Sequence, residues 1–131
     1  YNYILQDKQS QYGIIHGLDG YDEISLTSGF KLFTKFGEQL INPEDNGLER
    51  ISQSEIYGGN SVKDAAKIFK NIIEGKGTKA QNSVVLTNAA YALIIIDRNL
   101  TFEEAYNTAE GSLLGGKASQ CLRKLITNCS S

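Results

Sequence analysis

The stretch GIIHGLDGYDEISLTSG, Gly13 to Gly29, sets a short apolar run against three acids spaced by glycines. The run YGIIHG, Tyr12 to Gly17, is apolar up to its histidine and closes on glycine. Such runs suit a strand covered on both faces, as in a parallel sheet. The loop LDGYDE then lies at the strand's carboxyl end, where open α/β sheets bind ligands. Gly17 and Gly20 let its backbone approach a ligand or take positive φ. Asp22 and Glu23 are hard oxygen donors suited to Mg²⁺, which keeps several waters and uses one or two carboxylates beside substrate phosphates. Adjacent residues in extended backbone point opposite ways, so the pair suits two ions, or one ion with a water network. The bland alternative is a solvated acidic turn, since Asp and Gly are common turn residues. The D-x-D-x-D-G ladder of a calcium hand is absent.

Outward from this stretch, EISLTSG reads as a second extended piece. GFKLFTKFGEQLIN places Phe30, Leu32, Thr34 and Phe36 on one alternating face, with a turn at Gly37-Glu38, a hairpin signal that Pro43 ends. YNYILQDKQSQ, from Tyr1 to Gln11, reads as the end of a helix, with Tyr3, Ile4 and Leu5 inward. From Ser61 the period becomes helical. Val62, Ala65, Ala66, Phe69, Ile72 and Ile73 build one stripe, Ser61 with Asp64 resembles a capping box, and Gly75 stops the helix. A second helix, from about Lys79 to Asp97, is apolar nearly all round and should be central. Thr101 with Glu104 caps a third through about Leu114. After Gly115-Gly116, the residues Ala118, Cys121, Leu122, Leu125 and Ile126 mark a last amphipathic helix. The class is α/β or α+β. One convincing central strand among several helices makes the sheet look incomplete, as in a piece of something larger.

The chain has 131 residues, 40% hydrophobic and 21% charged, enough for one domain that buries roughly two-thirds of its extended surface. A net charge of −2 with scattered lysines argues against a nucleic-acid groove and an anionic membrane surface. The most apolar stretch, Val84 to Ile96, is thirteen residues long, short of the ~20 a membrane span needs. Cys121 and Cys129 lie eight apart, too far to bridge within one helix, and with one histidine make no zinc signature; reduced cytoplasmic thiols are the simplest reading. No secretory signal pattern opens the chain and no methionine occurs in it, so it is expected to begin inside a longer protein.

Other residues offer chemistry only weakly. His16, at the end of an apolar strand, is expected to be packed with a satisfied ring, though a base or phosphate contact is open to it. Gly58 to Asn60 could present backbone N–H groups to an anion at a helix start, or simply turn the chain. Asn88, inside an apolar helix, must find partners, in neighbouring backbone or in a ligand. Tyr21, Tyr57, Tyr91 and Tyr106 read as amphipathic core-edge residues. No Ser-His-Asp order, nucleotide fingerprint or Walker loop occurs.

Taken in order, GIIHGLDGYDEISLTS, PEDNGL, GGNSVKDAAKIFKNIIEGKGT and SVVLTNAAYAL resemble the C-terminal part of the anthranilate phosphoribosyltransferase family, through nearly all 131 residues. The most specific motif is H-G-x-D-G-x-D-E. The sequence departs from the family at Asn60, where an acid is frequent, and at Asp64-Ala65, where Asn-Ala is frequent. The resemblance implies the C-terminal part of the large α/β domain of a nucleoside phosphorylase/phosphoribosyltransferase-type fold, with an incomplete sheet, a β-hairpin and about four helices. It implies transfer of phosphoribosyl from phosphoribosyl pyrophosphate to the anthranilate amine, with Mg²⁺ held by Asp22 and Glu23. The family's glycine-rich phosphate loop, its anthranilate-binding arginine and its N-terminal dimerising helical domain have no counterpart in these residues. The main phosphate and anthranilate contacts are therefore expected upstream of Tyr1. Residues 1–131 read as a single domain fragment, inactive alone. A pyrimidine nucleoside phosphorylase, or a non-catalytic nucleic-acid-binding paralogue on the same scaffold, is the alternative; the mild negative charge speaks against the second.

Overall fold

A computed structural model describes residues 2–5 and 11–129. Three strands, β1 (Ile14–Gly17), β2 (Phe30–Thr34) and β3 (Gly37–Ile41), form one sheet in the order β1-β2-β3 with both pairs antiparallel. The expected parallel strand covered on both faces is thus corrected. β1 runs antiparallel to β2, with Ile14 opposite Phe33 and Gly17 opposite Phe30. It is an edge strand, its isoleucines half-buried and His16 exposed. An apolar run records burial but not its partner. Here an irregular loop returns the chain directly, and antiparallel pairing needs no crossover helix.

EISLTSG is not a strand either. Ile24, Ser25 and Leu26 are all buried, so the segment does not alternate, and Leu26 takes a left-handed φ of 63°. A non-glycine residue there costs roughly 1–2 kcal/mol, sustained only where neighbours over-determine the backbone. The Ile24 and Leu26 side chains, each 1% exposed, lie in the main core with Phe30, Leu32 and Tyr91.

The β2–β3 hairpin forms as the alternation predicts, but its turn falls at Lys35-Phe36 and Gly37 opens β3. Phe36 therefore leaves the face shared by Phe30 and Leu32. It lies exposed, with the Arg98 guanidinium 3.5 Å from its ring centroid. Pro43 follows the hairpin by starting a 3-10 turn, Pro43–Asn46.

Helices α1 (Asn2–Leu5), α2 (Val62–Ile73), α3 (Lys79–Ile96), α4 (Phe102–Leu114) and α5 (Lys117–Cys129) complete the fold. In α1, Ile4 is exposed rather than inward. Of the helix end expected over Tyr1 to Gln11, Tyr1, the side chain of Tyr3, and Gln6 to Ser10 lie outside the described residues. α3 is central, as its apolar circumference predicts. Its Tyr91 packs on the sheet and its Leu86 on Ala109 and Leu113 of α4. The capping pairs Thr78–Gln81 and Thr101–Glu104 are reciprocal, so each helix start is written in its own first turn. Ser61 caps α2 by accepting from the Asp64 N–H, and Gly75 ends it at φ 73°. Yet α2 buries none of its residues, Val62 and Phe69 of its stripe being 88% and 51% exposed. α5 likewise buries none, and both cysteines are free and exposed. No helix among the described residues is long and apolar enough to cross a membrane.

A clasped acidic loop as candidate functional site

The loop after β1 is closed by Leu18 N–H donating to the Gly29 carbonyl at 3.0 Å. A Cβ on Gly17 would stand 2.6 Å from the Tyr21 carbonyl, so the loop folds back over a residue that has to be glycine. Gly20 supplies the positive φ, 89°, for the bend. The close approach that Gly17 permits is the loop's own.

Asp19 is the hub. Its Oδ2 accepts the hydroxyls of Ser25, at 2.6 Å, and Thr27, and its Oδ1 accepts the Tyr21 N–H at 3.4 Å. Desolvation pushes its carboxyl up, but the Ser25 and Thr27 hydroxyls and the backbone donors outweigh it and hold Asp19 below its ordinary value. α3 grips the other end. Asn88 Oδ1 accepts the Ile24 N–H at 3.1 Å, and its Nδ2 donates to the carbonyls of Ile24 and Val84 at 2.8 Å each. The amide thus has its partners in backbone, one of the two roles open to it from sequence.

Between these anchors Asp22 and Glu23 stand exposed. Beside them, an open groove of about 600 Å³ is lined by Tyr21, Gln53, Ser54, Ile56, Tyr57 and Gly58. Tyr21 and Tyr57 are therefore groove residues, 39% and 57% exposed, and not core-edge residues; only Tyr91 and Tyr106 join the core clusters. The Tyr57 hydroxyl donates to Asn60 Oδ1, so Asn60 holds the turn into α2. His16 lies exposed opposite Lys31 rather than packed. A second cleft, of about 310 Å³, involves Tyr12, Phe36 and Arg98 at the other end of β1 and contains none of these acids.

The sequence profile of the "Glycosyl transferase family, a/b domain" matches residues 1–119. The chain belongs to this family. It is 44% identical over 126 residues to the anthranilate phosphoribosyltransferase of Cytophaga hutchinsonii, covering 96% of this chain and 38% of that protein. The enzyme of the same name from Flavobacterium johnsoniae is 45% identical over 125 residues, covering 95% and 38%. The chain thus spans well under half the length of these relatives. The solved anthranilate phosphoribosyltransferase of Saccharomyces cerevisiae, in complex with PRPP and Mg, superposes with a TM-score of 0.78 at 21% identity, covering 90% of this chain and 34% of that one. That from Thermus thermophilus gives 0.77 at 21%, covering 91% and 36%. These superpositions establish the fold.

Within this glycosyl transferase α/β domain, the exposed acid pair meets the requirements of a magnesium site in part. Two hard carboxylate donors are present, on a loop anchored at both ends. Among the described residues no third His, Cys, Asp or Glu joins them; one or two carboxylates are what Mg²⁺ takes beside phosphate and water. Ser25 and Thr27 are not legible as site residues while EISLTSG reads as an extended piece. Two hydroxyls shortly before Gly29, downstream of Asp19, are the signal that could have found them.

Proposed function

We propose that the chain forms part of an anthranilate phosphoribosyltransferase of tryptophan biosynthesis, moving phosphoribosyl from phosphoribosyl pyrophosphate to anthranilate and releasing pyrophosphate. One observation carries this reading: Asp22 and Glu23, in the order of the family motif, project exposed from a loop that Asp19 and Asn88 anchor. The names of the relatives and of the yeast complex with PRPP and Mg support it.

Asp22 and Glu23 would hold Mg²⁺, and the ion when bound supplies positive charge against the departing pyrophosphate. Their exposure leaves both carboxylates open to an ion carried in by phosphate. No residue here is assigned as a general base, because an aromatic amine is already nucleophilic once it is positioned. The remaining pyrophosphate and anthranilate contacts lie upstream of Tyr1, in the part of the relatives' length that this chain does not span. Residues 1–131 are accordingly one piece of a larger catalytic domain, working in the cytoplasm, in an enzyme that pairs through an N-terminal helical domain.

The test is a chimera in which this chain replaces the matched 126 residues of the Cytophaga hutchinsonii enzyme. With phosphoribosyl pyrophosphate and Mg²⁺ it should consume anthranilate, read as loss of anthranilate fluorescence. Asp22→Asn with Glu23→Gln should lower turnover by at least about 100-fold. A folded chimera without turnover, or full turnover in the double variant, overturns the reading.

A further inference from the structure

We propose that Asp19 and Asn88 are positioning residues that pre-organise the Asp22–Glu23 pair for a divalent cation, an inference that rests on the metal role assigned above. The motif's three acids therefore divide into one clasp and two ligands. Asp19 already receives three donors: the hydroxyls of Ser25 and Thr27, and the Tyr21 N–H. A cation on this carboxylate would have to displace hydroxyls that point their protons at it. Asp22 and Glu23 receive no such donors among the described hydrogen bonds and remain exposed.

The two anchors act on opposite sides of the pair. Asp19, three residues before Asp22, reaches forward to Ser25 and Thr27 and closes the loop as a ring. Asn88 grips both backbone groups of Ile24, the residue directly after Glu23, from a helix whose position is set by core packing. The left-handed Leu26 lies between Ser25 and Thr27 in the chain, and its carbonyl accepts from Ile51 N–H at 3.1 Å. A short acidic loop left to itself samples many arrangements, and a cation pays that ordering entropy on binding. With both ends tied, the entropy is lost on folding instead, and affinity rises. α3 thereby becomes a structural support for the metal site although it supplies no ligand.

The experiment titrates the chimera described above with Mn²⁺ as a probe for Mg²⁺, in the presence of phosphoribosyl pyrophosphate and against a protein-free blank, following free Mn²⁺ by electron paramagnetic resonance. Far-UV circular dichroism confirms folding of each variant. Asp19→Ala and Asn88→Ala should each weaken Mn²⁺ binding by about 10–100-fold, the range for residues that orient metal ligands. Asp19→Asn should recover part of the loss, and amide exchange should quicken at Tyr21 to Ile24 but not at Ala105 or Ala109 in α4. Should Asp19→Ala fail to fold, Ser25→Ala, which removes one donor from the clasp, should still weaken binding several-fold. Folded Asp19→Ala and Asn88→Ala chimeras that bind Mn²⁺ as tightly as wild type overturn the inference while leaving the metal role intact. Loss on Asp19→Ala as complete as on Asp22→Asn with Glu23→Gln also overturns it, since Asp19 would then be a ligand. Failure of the wild-type chimera to bind Mn²⁺ beyond the phosphoribosyl pyrophosphate blank, or undiminished binding by the double variant, defeats the metal reading itself.

Discussion

Tyr91 meets Phe30 edge to face, the ring centroids 5.2 Å apart and the planes at 82°. This contact joins the central helix to the sheet, and Phe102 extends it into α4 at 5.6 Å. The Tyr91 hydroxyl exchanges hydrogen bonds with the Asn46 side chain at the 3-10 turn, so one side chain ties together three parts of the fold.

Tyr91→Ala should therefore destabilise the chain by about 3–5 kcal/mol, the range for emptying an aromatic core site. Tyr91→Phe should cost only about 0.5–1.5 kcal/mol, the net worth of a hydrogen bond. Urea denaturation would separate the two. Equal losses would mean that the hydroxyl, not the ring, carries the tie.

Alkaline pH probes the same residue. Burial pushes the Tyr91 hydroxyl above its ordinary value; the Asn46 hydrogen bond offsets this in part, and Asp45 adds to it. A pKa raised in the folded state favours the neutral form. The associated stability is fully present below the unfolded value near ~10 and is lost as pH rises through the folded value. Melting temperature should fall above about pH 10, and Tyr91→Phe should soften that fall.

Acid probes the clasp with the opposite sign. Desolvation raises the Asp19 pKa, but the Ser25 and Thr27 hydroxyls more than reverse it. A lowered folded pKa means stability present above the unfolded value near ~3.9 and lost as pH falls through the folded one. Below about pH 4 the loop amides of Tyr21 to Ile24 should lose exchange protection, and Asp19→Asn should show weak protection at every pH. Protection independent of both acid and substitution would show that the clasp does not order the loop.

Exposure of the α2 stripe predicts association. Phe69 and Val62 present an apolar face that nothing among the described residues buries, and patches of this kind mark interaction surfaces. Sedimentation of the 131-residue chain should depend on concentration in the micromolar range. Phe69→Glu should reduce that dependence with less than about 0.5 kcal/mol change in stability, as for a surface substitution. Concentration-independent monomers would show that the face needs no cover.

Activity offers a last prediction. The chain alone should give no turnover of anthranilate with phosphoribosyl pyrophosphate and Mg²⁺, while the chimera does. In the chimera, chelation by EDTA should abolish turnover and added Mg²⁺ should restore it. Turnover by the isolated 131 residues would show that these residues hold every contact the reaction needs, and that none is required from upstream of Tyr1.

The helices were legible in the sequence because their signals are local. Periodic apolar residues, and caps such as Thr78 with Gln81 and Thr101 with Glu104, lie within a turn or two of the structure they specify. The hairpin was legible too, apart from a turn that falls at Lys35-Phe36, where Phe36 finds Arg98 across the fold. The motif singled out Asp22 and Glu23 and placed them on the loop after β1. Tertiary structure alone decided that β1 pairs antiparallel, that Asp19 binds its own loop, and that Asn88 holds Ile24 across 64 positions of sequence. The physical reason is range. Periodicity and capping act between neighbours along the chain, whereas strand partners and amide contacts are chosen by whichever distant groups the packed core brings within hydrogen-bond reach.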